Sequence, residues 1–475
     1  MVKAVSFTLL SLATAISAVA ALDPVGQFKR LGACPTLGCV FPPDNAEFLA
    51  GAHFDVRVEK LKGTHKDNKH GPKAVDFSKW SKVKPNAQES WDFTYNKDAA
   101  AYWKFMDGDK NASTNVHVAS TAWRHVQINE PGTYKVVLKY NNGKKTEAIW
   151  TVNPVQKRKA KNVILFIGDG MTTAMITAAR LISKPHTSGK YTKHMHMDQF
   201  PVLGHIMTHS LDSLITDSAN SASAYNTGHK SSAGALGELI AELLRRRSKK
   251  NGGAGGVGIV TTAEVQDATP AAVYAHTRNR DEKATIVDQM IHGANPVVAD
   301  VILGGGGKYF HSKTGGKSLN GTDYYAAYSK ERGYKVVNDR DALLNYKGKD
   351  PLLGVFHSTH MDVWMDRNVY KQNLKKNPTD PTGNGQSALN QPNLDEMVLK
   401  GLEVLDKRHR KEGWFMMAEA ASVDKMMHPL DYDRALADLL ELDNTIGKTK
   451  EWLKRNKLDK DTLILVTADH AHSFD

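Results

Sequence analysis

The chain has 475 residues, of which 41% are hydrophobic and 24% charged, which is ordinary for a globular protein of two or three domains. The net charge of +12 is scattered, apart from KRKAK at residues 157–161 and RRRSKK at residues 245–250. Neither run has interleaved aromatic residues or a helix-groove motif. We therefore interpret both runs as solvated linkers or faces, exclude nucleic acid as a partner, and retain small anionic substrates.

The first 20 residues have the features of a secretory signal peptide. Lys3 precedes an apolar stretch, and Ala18-Val19-Ala20 is a small-residue cleavage site. No later apolar run approaches the roughly 20 residues that a membrane span needs. We therefore expect a secreted, extracellular protein with signal peptide 1–20 and no membrane span.

Two further features agree with export. The only cysteines, Cys34 and Cys39, lie just after the signal peptide. A metal site would need more ligands nearby, so we expect a short-loop disulfide. Asn111 in NAS and Asn320 in NGT are candidate glycosylation acceptors, which have meaning only in an exported chain.

Residues from about 45 to 152 show the alternation of β-strands. Phe54, Val56 and Val58 share one face of HFDVRVE, and TYKVVLKY leads through NNG into TEAIWTV as a predicted hairpin. Short strands and several tryptophans favour a small, immunoglobulin-like antiparallel β-sandwich. This segment contains no catalytic constellation, so we predict an accessory domain over residues 21–155.

The pattern changes after NPVQKRKAK. The apolar run NVILFIGDG ends in Gly-Asp-Gly before the helical MTTAMITAARLISK, which predicts a buried strand, a tight turn and a helix. Further predicted strands are VGIVTTAE at 257–264, VILGGG at 301–306, WFMMAEA at 414–420 and TLILVTADHAH at 462–472. Helical patterns lie between them, so residues 156–475 are predicted to form an α/β domain with a mostly parallel sheet.

Polar side chains follow the predicted strands. Because the carboxyl ends of parallel strands lie at one edge of a sheet, we expect these side chains to lie together. A single Asp after a strand is usually a helix N-cap, but five such strand ends in one domain fit that explanation poorly. The side chains are Asp169, then Asp217 and Ser218 after SLIT, Asp267 and Thr269, Glu419, and Asp469 with His470.

The residue types divide by metal. Asp with His suits zinc, whereas carboxylates with a threonine hydroxyl suit magnesium. Asp424 and His428 are four residues apart in EAASVDKMMH, so one helical turn would direct both at one ion. The alternative, a solvated surface turn, fits poorly with the buried-looking WFMMAEA that precedes it.

The stretch LITDSANSASAYNTGHK, residues 214–230, is rich in small residues. Such a segment either packs closely against a neighbouring element or carries a reactive serine, with Ser218 the first candidate. The residues alone leave both explanations open.

Six motifs resemble, in order and spacing, those of the alkaline phosphatases: NVILFIGDGM, TDSANSASAYNTGHKSSAGALG, TTAEVQDATPAAVYAHTRNR, LGGG, AEAASVDKMMH and VTADHAH. The likeness runs from about residue 160 to the end and does not cover the N-terminal sandwich, which looks like an added module. It implies a three-layer α/β/α fold and a phosphomonoesterase with two zinc ions and one magnesium ion.

The resemblance implies a role for each candidate residue. Ser218 matches the nucleophile that forms a phosphoserine, and Arg280 matches the guanidinium that grips two phosphate oxygens. Lys425 matches a phosphate-side lysine, and His472 lies where it can orient Asp424. The implied ligands are Asp169, Asp469 and His470 for one zinc, Asp424 and His428 for the second, and Asp267, Thr269 and Glu419 for magnesium, with Asp169 bridging to it. The DAT sequence at 267–269 leans toward the zinc-zinc-magnesium type of the bacterial members.

The resemblance breaks at the C-terminus. The family completes its second zinc site with a histidine further downstream, whereas this sequence stops at Asp475. That site would have only Asp424 and His428 from the protein, one ligand short of the usual three. Apolar surface would also be exposed along one side of the sheet. Two explanations are retained, a natural protein that continues past Asp475 and a truncated product with weakened zinc binding.

Three functions follow from these observations. The first is a secreted alkaline phosphatase acting on small phosphate monoesters. The second is a related phosphodiesterase or sulfatase of the same superfamily, and the third is a non-catalytic exported protein for metal binding or adhesion. The family grips the phosphate and leaves the alcohol in solvent, so the alcohol stays unspecified. The resemblance also implies a homodimer.

Overall fold

The computed structural model describes residues 39–42, 44–51, 53–62, 87–94, 115–140, 144–156, 159–183, 194–210, 215–228, 230–231, 234–237, 255–277, 279–292 and 299–474. The predicted signal peptide, Cys34, the side chain of Cys39, Asn111 and the RRRSKK run lie outside these described residues. The chain divides into two compact units. One comprises Met1–Lys157, His209–Leu214 and Gly228–Ala233, and the other comprises Arg158–Thr208, Ile215–Thr227 and Gly234–Asp475.

The first unit is built from β-strands in the part that the structure describes. The strands are β1 Cys39–Phe41, β2 Ala46–Leu49, β3 His53–Lys62, β4 Ala87–Thr94, β5 Asn115–Gln127, β6 Gly132–Tyr140 and β7 Lys144–Asn153. They form one sheet in the order β1-β3-β5-β4 and another in the order β2-β7-β6, and β6 pairs antiparallel with β7, which confirms the predicted hairpin. Trp150, Phe48 and Phe54 pack ring against ring in the core of this unit. The immunoglobulin-like topology stays a prediction.

The second unit alternates strands with helices. Its described strands are β8 Asn162–Gly168, β9 Gly256–Glu264, β10 Val301–Gly305, β11 Lys335–Val337, β12 Leu352–Val355, β13 Trp414–Ala420 and β14 Thr462–Ala468. Its described helices are α1 Thr173–Ile182, α2 Ser218–Thr227, α3 Ala268–Ala271, α4 Lys283–His292, α5 Tyr324–Arg332, α6 Arg340–Asn345, α7 Trp364–Asn368, α8 Leu394–His409, α9 Ser422–Met427 and α10 Tyr432–Arg455. No helix in the described ranges is long and apolar enough to cross a membrane.

The strands of the second unit form a parallel sheet in the order β11-β12-β10-β9-β13-β8-β14. Successive residues of β8 face opposite sides of it. Ile164 and Phe166 join a core with apolar residues of α8 and α10, whereas Leu165 and Ile167 join a second core with residues of α4. Helices therefore cover both faces, which explains the continuous apolar strands and confirms the three-layer α/β/α fold.

Strand β14 lies at one edge of this sheet and pairs with β8. Its sequence TLILVTA is as apolar as that of β8. Even so, Leu463 and Leu465 are each 45% exposed. The exposed apolar surface expected along one side of the sheet is therefore observed at this strand.

Candidate active site

Four neighbouring strands place four buried carboxylates together at the carboxyl end of the sheet. In the order β9-β13-β8-β14, Asp169 directly follows β8 and Glu419 is the last residue but one of β13. Asp267 lies three residues after β9, and Asp469 directly follows β14. Their exposed fractions range from 1% to 6%. The parallel sheet thus collects these side chains as predicted.

The Gly-Asp-Gly turn after β8 leaves room for two of the acidic side chains. Gly170 has φ of 67°, a conformation that glycine adopts without strain. A Cβ added at Gly170 would lie 3.2 Å from Oδ1 of Asp424. Its backbone N–H donates to Asp469 Oδ1 at 3.0 Å. Glycine at this position therefore lets the main chain approach both carboxylates.

Ser218 is the first residue of α2, where free backbone N–H groups favour an anion. Asp217 caps this helix by accepting from the backbone N–H groups of Ala219, at 3.3 Å, and Asn220, at 3.2 Å. The predicted strand before Asp217 is wrong for the residues of SLIT that the structure describes. Ile215 is 78% exposed and lies in no strand, so Asp217 is a helix cap and not a strand end.

The small residues of α2 have a packing role. Ala219 and Ala222 are fully buried, in the same core as Ala268 and Ala271 of α3. The Ser223 hydroxyl donates to the Ala219 carbonyl within the helix at 2.8 Å. Close packing therefore explains the body of the helix. It does not explain Ser218, whose hydroxyl faces the carboxyl ends of the strands.

The hydroxyl of Ser218 lies among candidate metal ligands. Its Oγ is 3.1 Å from His470 Nε2 and 3.4 Å from Asp169 Oδ1. His470 Nδ1 lies 2.9 Å from the Ala471 carbonyl oxygen, which can only accept, so Nδ1 carries the hydrogen. His470 Nε2 therefore has a free lone pair, and it also lies 3.4 Å from Asp469 Oδ2. A histidine that donates through Nδ1 to a carbonyl and offers Nε2 is typical of metal sites.

Among the residues that the structure describes, two groups of side chains have the geometry to hold a metal ion. They are Asp169, Asp424 and His470, and Asp424, His428 and His472, with the ligand atoms in each group within 4.8 Å of one another. Asp424 belongs to both groups, and its Oδ1 is buried without a hydrogen-bond partner among the described residues. His428 Nε2 lies 3.2 Å from Asp424 Oδ2, as their spacing on one helical turn predicts. Carboxylate oxygens with imidazole nitrogens suit zinc.

Asp469 and His472 also lie beside these groups. Asp469 Oδ1 accepts from the backbone N–H groups of Gly170 and His470, which leaves Oδ2 facing His470 Nε2. His472 Nε2 lies 3.5 Å from Asp424 Oδ1. At this distance His472 has the position either to orient the Asp424 carboxylate or to join it as a ligand.

Two of the candidate magnesium ligands form a buried oxygen-rich site. Glu419 is 1% exposed and accepts from Thr261 Oγ1 at 2.5 Å. Burial raises the pKa of the Glu419 carboxyl, and the nearby Thr269 hydroxyl offsets a small part of this rise. Thr269 Oγ1 itself makes no hydrogen bond of ordinary geometry in the described part of the chain. A buried hydroxyl oxygen with spare acceptor capacity beside a carboxylate suits a hard divalent cation.

Asp267, the third candidate, is surrounded by cations. Lys425 Nζ lies 3.1 Å from its Oδ2, and Arg280 Nη2 and Lys283 Nζ lie 3.3 Å and 3.0 Å from its Oδ1. Burial raises the pKa of Asp267, but the charges of Lys425, Lys283 and Arg280 outweigh it and hold that pKa well below its ordinary value. Arg280 Nη1 also bonds Asp217 Oδ2 at 3.1 Å. The guanidinium therefore lies between the N-terminus of α2 and Asp267.

Asp169 and Glu419 have too little positive charge around them. Burial raises the pKa of Asp169 well above its ordinary value, and the Asp469 and Asp424 charges raise it further. Burial also raises the pKa of Glu419 to about 7. Crowded, buried carboxylates are stable as anions only when positive charge is added. This observation, together with the donor types, fits metal binding at the strand ends.

Four ionisable residues near the site are absent from the sequence prediction. Glu264 forms ion pairs with Lys283 and Lys308, each at 2.9 Å. His360 Nδ1 accepts from the Glu264 backbone N–H at 3.1 Å and lies 3.9 Å from Asp267 Oδ2. Glu264, Lys308 and His360 end or closely follow strands, so the strand-end argument could have found them. No sequence signal marks Lys283.

Comparisons with known proteins agree with this geometry. A family model described as alkaline phosphatase matches residues 160–475, and one described as PhoA-like N-terminal domain matches residues 37–153. The alkaline phosphatase of Escherichia fergusonii is 34% identical over 394 residues, which cover 76% of this chain and 79% of that protein. Alkaline phosphatase H of Pseudomonas aeruginosa is 36% identical over 354 residues, which cover 67% of this chain and 71% of that protein. The crystal structure of Thermus thermophilus alkaline phosphatase matches with a TM-score of 0.53 and 28% identity, over 66% of this chain and 60% of that one.

The chain belongs to the alkaline phosphatase family, whose members depend on metal ions. Its relatives and structural neighbours support the hydrolysis of phosphate monoesters as its activity.

Proposed function

We propose that this protein hydrolyses phosphate monoesters through a phosphoserine on Ser218, with two zinc ions and one magnesium ion at the strand ends. The observation that carries the proposal is the position of Ser218 Oγ, at a helix N-terminus and within 3.4 Å of both Asp169 Oδ1 and His470 Nε2. A Ser-His-Asp mechanism fits less well. The His470 Nδ1 that would need a carboxylate partner is bonded to the Ala471 carbonyl instead.

Arg280 is the residue that we assign to the substrate phosphate. Its guanidinium already binds two carboxylates, Asp217 and Asp267, through separate nitrogens. A phosphate dianion offers the same pairing to a planar guanidinium and brings two negative charges. Lys425 and the N-terminus of α2 add positive potential on neighbouring sides.

The reaction follows from the position of Ser218. Its Oγ attacks phosphorus, and the Oγ–P bond forms as the bond from phosphorus to the alcohol oxygen breaks. The hydroxyl proton passes to solvent, because Asp169 Oδ1 and His470 Nε2, which lie 3.4 Å and 3.1 Å from Oγ, are themselves metal ligands in this proposal. The alcohol leaves with a proton from solvent. Water then cleaves the Oγ–P bond, which releases inorganic phosphate and restores Ser218.

The metal assignments are part of the proposal. Asp169, Asp469 and His470 would hold one zinc, and Asp424 and His428 the second, with His472 beside them. Asp424 also lies within reach of the first zinc group. Zinc in these groups would supply Lewis-acid stabilisation of the attacking and leaving oxygens. Thr269 and Glu419 would carry most of the magnesium site, because Asp267 already has three cationic partners.

We also propose that the protein is exported, with cleavage after residue 20, a Cys34–Cys39 disulfide and glycosylation at Asn111 and Asn320. Support comes from the sequence signals and from Asn320, which is exposed. We further propose an accessory domain over residues 21–155, a catalytic domain over residues 156–475, and a homodimer.

The test compares three chromogenic substrates on the metal-loaded protein: p-nitrophenyl phosphate, bis(p-nitrophenyl) phosphate and p-nitrophenyl sulfate. The proposal predicts that the monoester is turned over fastest and that Ser218→Ala abolishes this turnover. Preference for the diester or the sulfate would favour the related superfamily activities. Tight zinc binding without any turnover would favour the non-catalytic alternative.

A further inference from the structure

A row of side chains with alternating charge extends to Arg280. It consists of Lys308, Glu264, Lys283 and Asp267. Lys308 Nζ lies 2.9 Å from Glu264 Oε1, and Lys283 Nζ lies 2.9 Å from Glu264 Oε2 and 3.0 Å from Asp267 Oδ1. The side chains of Glu264 and Asp267 are only 2% and 8% exposed. Water therefore screens these interactions far less than it screens surface pairs.

Lys283 occupies a position that is locally unfavourable for a lysine. It is the first residue of α4, where the helix dipole disfavours a cation. Only 16% of its side chain is exposed, and a buried ammonium is costly unless it is paired. Burial lowers the pKa of Lys283, but the Asp267 and Glu264 carboxylates raise it above its ordinary value. Its two carboxylate contacts are therefore the physical reason for a charged residue here.

Lys283 and Arg280 bind the same oxygen atom. Their nitrogens lie 3.0 Å and 3.3 Å from Asp267 Oδ1, while Lys425 binds Oδ2. When Arg280 turns from Asp267 to a phosphate, Asp267 keeps one lysine on each oxygen. Without Lys283, the same movement would leave Oδ1 buried without a cation, which is costly. Arg280 would then be held more strongly by the protein and would be less available to the phosphate.

We propose that Lys283 is a positioning residue that neutralises Asp267, so that Arg280 is free to exchange this carboxylate for the phosphate of the substrate. The inference rests on the proposed function, because it requires Arg280 to bind phosphate. Lys283 itself contacts Glu264 and Asp267 and acts on the phosphate only through Arg280.

The experiment measures the affinity for inorganic phosphate by isothermal titration calorimetry on the full, metal-loaded chain. Lys283→Met is expected to weaken binding at least fivefold, or about 1 kcal/mol. Lys283→Arg, which keeps the charge, should recover most of the affinity. Lys308→Met is the matched control, because it removes one lysine from Glu264 without touching Asp267, and we expect a change of less than about twofold. Melting temperatures check folding, and Lys283→Gln is measured in parallel as a polar replacement.

A double-mutant cycle separates positioning from a general charge effect. In an Arg280→Ala background, titrated to millimolar phosphate, Lys283→Met should cause no further loss. An equal loss in both backgrounds would overturn the inference, and so would wild-type affinity in Lys283→Met or failure of Lys283→Arg to recover it. If the wild-type chain itself binds no phosphate and Arg280→Ala changes nothing, the proposed function fails together with the inference.

Discussion

Ser218 Oγ lies 3.1 Å from His470 Nε2, although 252 residues separate the two along the chain. Ser218 begins helix α2, and His470 follows the edge strand β14 two positions after its end. The contact exists because the parallel sheet brings the end of β14 beside that of β8, where Asp169 lies. The sheet therefore places His470 beside Asp169, and helix α2 brings Ser218 to them from a distant part of the chain.

Replacing Ser218 with Ala should remove the nucleophile and leave the phosphate-binding groups in place. We expect kcat for a phosphate monoester to fall by at least about 10³-fold. Bound zinc and the affinity for inorganic phosphate should change little, which calorimetry and metal analysis measure. Ser223→Ala is the matched control on the same helix. It loses the hydroxyl contacts with the Ala219 and Ala235 carbonyls and with the Gly237 N–H, so it should cost about 1–3 kcal/mol of stability and leave kcat near wild type.

Replacing Asp217 with Asn should tighten the binding of inorganic phosphate. Asn still caps α2, but the negative charge that bonds Arg280 Nη1 is removed. Inhibition by phosphate should strengthen by about 3- to 10-fold, or up to about 1.4 kcal/mol. Asp217→Ala should show the same change together with a loss of about 1 kcal/mol of stability from the missing cap. Weaker phosphate inhibition in Asp217→Asn would show that Arg280 needs this carboxylate to bind phosphate.

Asp424 is shared by both metal-type groups, so its replacement should affect both. After dialysis at limiting zinc, Asp424→Asn should retain less zinc than His428→Gln, because His428 belongs to only one group. Elemental analysis of the dialysed proteins gives the zinc content per chain. Equal zinc loss in the two variants would contradict the shared position of Asp424.

The raised pKa of Asp438, a residue outside the candidate active site, predicts that the stability of the protein depends on pH. Asp438 is fully buried near Glu441, which Arg367 already binds at 2.6 Å. Burial, with the Glu441 charge, raises the pKa of Asp438 to about 8. Because the folded pKa is raised, the folded chain holds a proton that the unfolded chain releases. The stability associated with this proton is present at low pH and is lost as pH rises toward about 8.

Asp438→Asn removes this dependence. Relative to wild type, the free energy of unfolding of the variant should increase as pH rises from about 5 to 8, by at most about 1.4 kcal/mol per pH unit. Urea unfolding of both proteins at several pH values measures the difference. Parallel pH profiles for the two proteins would contradict the prediction.

The sequence predicted the long buried strands well and the short ones poorly. Strands β8, β9, β10, β13 and β14 agree with their apolar runs because both faces of the sheet are covered by helices. Strands β11 and β12 have only three and four residues, which is too short for periodicity to identify. SLIT resembled a strand, but Ile215 is exposed and the residues that follow cap a helix.

The strand-end rule located Asp169, Asp267, Glu419, Asp469 and His470. Asp424 and His428 were located by their spacing on one helical turn. Neither signal could give the partners of these residues, because the partners come from distant segments. In the sequence, nothing distinguishes Lys283 from other lysines. Only the fold shows that it lies between Glu264 and Asp267. In the same way, the pairing of Arg280 with Asp217 and Asp267 depends on the packing of three separate loops.

The phosphoserine is the central claim, and its direct capture is the most direct test. Metal-loaded enzyme is mixed with excess phosphate monoester, quenched in acid during turnover, digested and analysed by tandem mass spectrometry. We predict a phosphorylated peptide with the modification on Ser218, absent from Ser218→Ala and from enzyme without substrate. Steady turnover with no phosphopeptide, or a phosphate on another residue, would contradict the account.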